Sequence, residues 1–193
     1  MGTRNLTAVF LDGKYRIAQY GQWDGYPSGQ GVICLEFARK VLANNHISRF
    51  IGKLHQCRYL NEEEIDEINA RIDRGELRDW QRVYPELSRD TAANILNMVY
   101  ESENGLKLRD NIEFAADSLF CEWAYVIDLD KGTFEVYQGF NQEPLEPTDR
   151  FYGLKPEPGR LQSTETYYPV RKIAEYRFTE LPSDEEFCKL EAS

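Results

Sequence analysis

Apolar residues fill residues 6–11 on both alternating faces, and Asp12-Gly13 then separates this run from a second strand-like run at 14–20. Asp-Gly between two such runs predicts a two-residue hairpin. Val32, Leu35, Phe37, Ala38, Val41 and Leu42 then recur at helical spacing, with Asn44-Asn45 as the stop. A second helical stripe follows from about Ile47 to Cys57. Asn61 with Glu64 has the form of a capping box, and Ile65, Ile68 and Ile72 carry an apolar stripe to Gly75. Residues 79–85 read as a loop. Ser88 is expected to cap another helix, which passes through Ala92, Ile95, Leu96 and Val99 and is closed by Asn104-Gly105.

Residues 120–129 predict a long strand, 130–132 a turn and 133–137 the return of a second hairpin. Residues 139–169 hold five of the eight prolines and three glycines without periodicity. They predict a long surface loop, of a length often functional or mobile. A last strand is expected at 172–178, and Ser183 with Glu186 opens a short C-terminal helix. The fold class is therefore α+β: one mainly antiparallel sheet of about five strands, two hairpins plus one strand, with four or five helices. The strands at 6–11 and 123–129 are apolar on both faces, which calls for a layer on each side of the sheet. Helices supply one layer in this reading, and the proline-rich loop with the terminal helix the other. No linker divides residues 1–193, so a single domain is expected.

With 41% apolar residues and 13% aromatics the chain has the makings of a packed core. No apolar run approaches the roughly 18 residues needed to span a bilayer. The opening residues run directly into strand pattern, which leaves no secretory signal, so a soluble cytoplasmic protein without membrane contact is expected. The net charge of −10 divides unevenly. Residues 1–60 carry eight Lys/Arg against three Asp/Glu, a net of +5, and residues 61–193 carry fifteen against thirty, a net of −15. The overall sign argues against duplex nucleic acid as a partner. The basic segment is compatible with a small anion, or with Lys and Arg that only solvate helix faces.

The stretch Gln-Tyr-Gly-Gln-Trp-Asp-Gly-Tyr-Pro-Ser-Gly-Gln-Gly at 19–31 joins the first hairpin to the first helix. It is too aromatic for a flexible linker and too rich in glycine for a strand or helix. Glycines before a helix start leave backbone N–H groups for an anion. Tyr20, Trp23 and Tyr26 could stack a planar group, and Gln19, Gln22 and Gln30 could bond its edge. Arg4 and Arg16, on the adjoining hairpin, are the candidate positive charges. Asp24, a lone carboxylate between Trp23 and Gly25, is the candidate general acid or base through partial desolvation, with Glu122 a distant second. The same residues also suit a rigid strand-to-helix connection with Trp23 plugged into the core and Asp24 bonding its own loop. No phosphate-loop or dinucleotide fingerprint is present.

The two histidines, His46 and His55, lie in no metal pattern, and Cys34, Cys57, Cys121 and Cys188 form no Cys-x-x-Cys pair. The cysteines are read as reduced thiols in or near the core, a Cys34–His pair as a remote catalytic alternative. No metal or other cofactor is expected. The acidic clusters at 62–64 and 184–186 sit in first helical turns, where they favour the helix dipole.

Met-Gly-Thr-Arg-Asn-Leu at 1–6 and the 19–31 stretch resemble a family of small bacteriophage and fungal proteins, a likeness that covers roughly the first forty residues. It implies an accessory protein of mobile-element origin, acting against host defence by binding or degrading a signalling nucleotide or by blocking a protein complex. The strand hairpin at the start is also similar to amino-terminal-nucleophile hydrolases. Gly2 stands where those enzymes need Ser, Thr or Cys, and Thr3 is one place too far along, so their mechanism does not carry over. Two functions are left open: binding of a small planar anionic or nucleotide-like ligand at 19–31, with or without its hydrolysis, or an acidic inhibitor or nucleic-acid mimic that blocks a host protein complex.

Overall fold

A computed structural model describes residues 2–43, 46–155 and 167–192. Strands β1 (Asn5–Leu11) and β2 (Lys14–Gly21) form the first hairpin. Asp12 and Gly13 both take positive φ (55° and 72°), the conformation that a two-residue turn matching strand twist requires. Helices α1 (Val32–Ala43) and α2 (Ile47–Gln56) follow, then a two-residue strand β3 (Arg58–Tyr59) and helix α3 (Glu62–Asp73). The stretch read as a loop at 79–85 contains one helical turn, α4 (Trp80–Val83). Helix α5 (Ile95–Glu101) leads to β4 (Lys107–Leu108), which pairs in parallel with β3. Strands β5 (Trp123–Asp128), β6 (Thr133–Gln138) and β7 (Arg171–Arg177) and helix α6 (Asp184–Cys188) complete the chain.

The fold is α+β, with a five-stranded, mostly antiparallel sheet in the order β2-β1-β5-β6-β7. Its one parallel pair lies at the centre, where Leu6 registers with Ala124 and Val9 with Ile127. The two hairpins are thus joined side by side. Their turns are also clipped together: the carboxylate of Asp130 accepts the N–H groups of Asp12 and Gly13, each at 2.9 Å.

Two separate cores flank the sheet. On one face Val9, Tyr125, Ile127 and Phe134 pack beneath α1, α2, α5 and α6, through side chains such as Leu35, Phe50, Leu96 and Phe187. On the other, Leu6, Ala8, Ala124 and Val126 are covered by Phe114, Leu145, Phe151 and Val170, all from loops and single turns. The terminal helix therefore joins the helical layer, contrary to the expected pairing with the loop, because Phe187 packs at tilted angles among Tyr125, Phe134 and Tyr176. The part of the 139–169 loop at 156–166 lies outside the described residues.

The loop layer is fastened by charge. Arg150 reaches down to Asp128 and Glu135, both 1% exposed in their side chains. Its guanidinium bonds Glu135 through Nε at 2.6 Å and Nη2 at 2.8 Å, and Nη2 also bonds Asp128. Phe10 lies under the guanidinium, 4.9 Å away. Asp128 further accepts the N–H groups of Asp130 and Lys131. Burial raises the Glu135 carboxyl, but Arg150 and the Tyr137 hydroxyl more than offset it and hold the group below the usual range.

Local capping follows the sequence in two of three places. Asn61 and Glu64 form a reciprocal capping box on α3, and the Ser183 hydroxyl accepts from Glu186 N–H on α6. Ser88 caps nothing. Its hydroxyl accepts from Asp90 N–H and its carbonyl from the Gln19 amide, and α5 begins only at Ile95, after a turn at Ala92–Asn94.

Candidate functional site

The 19–31 bend leaves the end of β2, crosses the N-terminal end of β1 and enters α1 through a turn at Pro27–Gly31 that is kinked at Gly29. Tyr125, wholly buried under it, donates its hydroxyl to the Gly25 carbonyl at 2.7 Å. Burial pushes that phenol well above its ordinary pKa, so it stays a donor. Gly25 N–H bonds Thr3, Gln22 N–H bonds Arg89, and Asn5 Nδ2 bonds the Trp23 carbonyl at 3.3 Å. The bend is anchored along its whole length.

The glycines serve this packing. A Cβ at Gly31 would sit 2.9 Å from the rings of Tyr125 and Phe187, and one at Gly29 would strike the Asp24 carbonyl. The N–H groups offered to an anion are taken from within. Gly29 and Gly31 bond the Tyr26 carbonyl, Gln30 bonds the Asp24 carbonyl at 2.8 Å, and Ser28 N–H bonds the Glu191 carboxylate at 2.6 Å. A side chain of this protein already occupies the anionic position at the helix start.

The residues singled out in the sequence separate into three groups. Gln19 is buried and donates to the Tyr20 and Ser88 carbonyls. Gln30 accepts the Ala93 N–H at 3.1 Å and so caps the 92–94 turn. The Tyr20 hydroxyl donates to Gln22 Oε1, and its ring meets Phe114 edge-on. These four hold the fold together.

Arg16 lies at the far end of the hairpin, paired with Asp12 at 2.6 Å, and does not reach the bend. Arg4 does lie at its base, but its guanidinium rests on Phe120 at 4.6 Å and its Nε is 3.7 Å from Glu122. Other cations of the first sixty residues also pair with later acids, Arg39 with Asp184 and Arg58 with Glu64. Part of the charge asymmetry along the chain is thus matched inside the fold, and a net of −10 is left over.

The third group faces water. Trp23 and Tyr26 are each 47% exposed, and Asp24 between them is exposed, so the expected desolvation of that carboxylate does not occur. Asp24 takes positive φ (53°), a conformation disfavoured for a residue with a Cβ. Trp23 does not plug the core. Its indole N–H donates to Asp90 at 2.9 Å, and the backbone of Gly2 lies against its ring. Asp90 and Glu191 reach the bend from distant parts of the chain, and the sequence carries no local signal of either.

No family model matches this chain. No curated protein and no solved structure matches it either.

Among the described residues no three His, Cys, Asp or Glu side chains are grouped to hold a metal ion, and no helix is long and apolar enough to cross a membrane. His46 bonds the Tyr100 hydroxyl at 2.7 Å and His55 bonds Asp12 at 3.0 Å. Cys34, the proposed partner of a histidine, instead lies 3.6 Å from the Thr7 hydroxyl. Burial pushes its thiol up to about 12. Among the described residues, clefts open elsewhere: about 370 Å³ and about 160 Å³ on the two flanks of α3, and about 340 Å³ between 138–143 and the start of β7. None of the three is lined by a residue of 19–31.

Proposed function

We propose that this protein is a binding module whose contact with a cationic protein surface is centred on Trp23 and Tyr26. The observation that carries the reading is their half-exposure on a bend anchored by hydrogen bonds along its length. Large aromatic side chains held in place before binding lose little entropy on association, and Trp and Tyr are the residues that most often dominate interfaces. Asp24 and Asp90 flank them, and the chain as a whole is acidic. A partner rich in Arg or Lys fits such a surface, by charge and by stacking of guanidinium on the rings.

The alternative, a small planar anion at the bend, has less behind it. The amides that would hold the anion are bonded internally, and the neighbouring carboxylates repel it. Blocking a host complex, the use implied by the likeness to phage proteins, agrees with the protein-binding reading.

The test is a titration of ¹⁵N-labelled protein with an arginine-rich peptide and, separately, with ATP and a cyclic dinucleotide. The peptide is expected to shift the Trp23 indole signal, more weakly as salt rises. Trp23→Ala should reduce affinity by about thirtyfold, the size of an interface anchor. A response of that signal to nucleotides but not to the peptide would instead restore the small-ligand reading.

A further inference from the structure

Helix α3 is amphipathic, yet none of its residues is fully buried. Its start is set by the capping box and by Glu64, which bonds Arg58 at 2.6 Å and Lys107 at 3.0 Å. Those ion pairs hold the helix over the body of the protein without pressing its stripe of Ile65, Ile68 and Ile72 into a core. The clefts of about 370 Å³ and about 160 Å³ on its two flanks share Leu60, Ile68 and Leu87 as lining, so they meet beneath the helix. Apolar surface left open in this way is hydrophobic stabilisation that a ligand can recover.

The charges divide between the two clefts: Arg109 lines the smaller, and the carboxylates line the larger. In the larger cleft Glu64 is neutralised by Arg58 and Lys107, and Arg71 faces Glu76 at 3.5 Å. Two further carboxylates line the same cleft, Glu67 from α3 and Glu86 from the turn at Pro85–Leu87, and neither forms an ion pair among the described residues. Glu86 is half-buried, and that burial raises its carboxyl above the ordinary range despite a bond from its own backbone N–H. A carboxylate desolvated without a cation is the complement of an ammonium or guanidinium group.

We infer that the crevice under α3 binds a small organic cation with an apolar body, its charged head between Glu67 and Glu86 and its body against Leu60, Ile68 and Leu87. This site is separate from the bend and stands whether or not the bend binds a protein.

Calorimetry and isoleucine-methyl NMR with three probes of one shape test it: 4-phenylbutylamine, 4-phenylbutanol and 4-phenylbutyrate. The amine should bind saturably and shift the methyl signals of Ile65, Ile68 and Ile72. The alcohol should bind more weakly and the carboxylate weakest. Glu86→Gln should reduce amine affinity by about tenfold, as expected for one charge-assisted contact, while Glu62→Gln, in the first turn of α3 and outside the cleft lining, should leave it unchanged. Equal or tighter binding of the carboxylate, equal losses in the two variants, or methyl signals unmoved at millimolar amine would overturn the inference.

Discussion

The two faces of the central sheet reach similar burial by different physics. Beneath the helices the core is apolar and aromatic, with Phe187 among Tyr125, Phe134 and Tyr176. Beneath the loops it is apolar near β1 and ionic towards β6, where Arg150 joins Asp128 and Glu135. A helix satisfies its own backbone polar groups and needs only a fitting surface. A loop does not, and a buried arginine with five directed donors can fasten it where packing alone cannot. The helical face is therefore set by shape, and the loop face by charge.

This contrast breaks most visibly under substitution. Phe187→Ala should cost about 3–5 kcal/mol in urea unfolding, from lost contacts and the void left behind. Arg150→Met should cost as much, roughly 3–5 kcal/mol, because it strands two buried carboxylates. Acid then tells the two apart. Glu135 titrates below its unfolded value, so its contribution is present above about pH 4.3 and is lost as pH falls through the folded value. The gap between wild type and Arg150→Met should accordingly shrink below about pH 4, while the gap to Phe187→Ala stays nearly constant. Parallel gaps at low pH would show that the loop is held by packing after all.

The buried thiols report the same contrast more gently. Cys34 belongs to the helical core and Cys121 to the loop core, and both are wholly buried. In Arg150→Met at neutral pH, where the loop tie is cut and thiols can react, alkylation followed by mass spectrometry should label Cys121 before Cys34. Cys34 labelled first would reverse the assignment of the weaker face. The smallest effect is expected outside both cores: Asn61→Ala removes one half of the α3 capping box and should cost about 1 kcal/mol, seen as faster amide exchange in α3.

The elements set by neighbouring residues were legible in the sequence. The Asp12-Gly13 turn, the Asn61–Glu64 box and the Ser183 cap each depend on contacts within a few positions. The central pairing of β1 with β5 was not legible, because strands apolar on both faces carry no mark of which strand lies beside them. Ser88 matched a capping position but was claimed by Gln19 and Asp90. Arg150 passed as one more charge in a proline-rich loop. The signal that points to it lies elsewhere, in Asp128 and Glu135, acids on strands otherwise apolar enough to be buried, each of which demands a cation. At the bend, the sequence marked a place of special backbone, and Trp23, Asp24 and Tyr26 do reach water there. The roles of its glycines and amides depended on Tyr125 and Glu191, too far along the chain to be read locally.

The parallel pairing at the middle of the sheet also governs the order of assembly. β1 is flanked by β2, available at once, and by β5, which is synthesised only after every helix except the last. A chain emerging from a ribosome must keep one edge of this largely buried strand without a partner through most of its synthesis. Neither the first hairpin with its helices nor the second hairpin alone holds a complete sheet, so the molecule becomes stable late and as a whole.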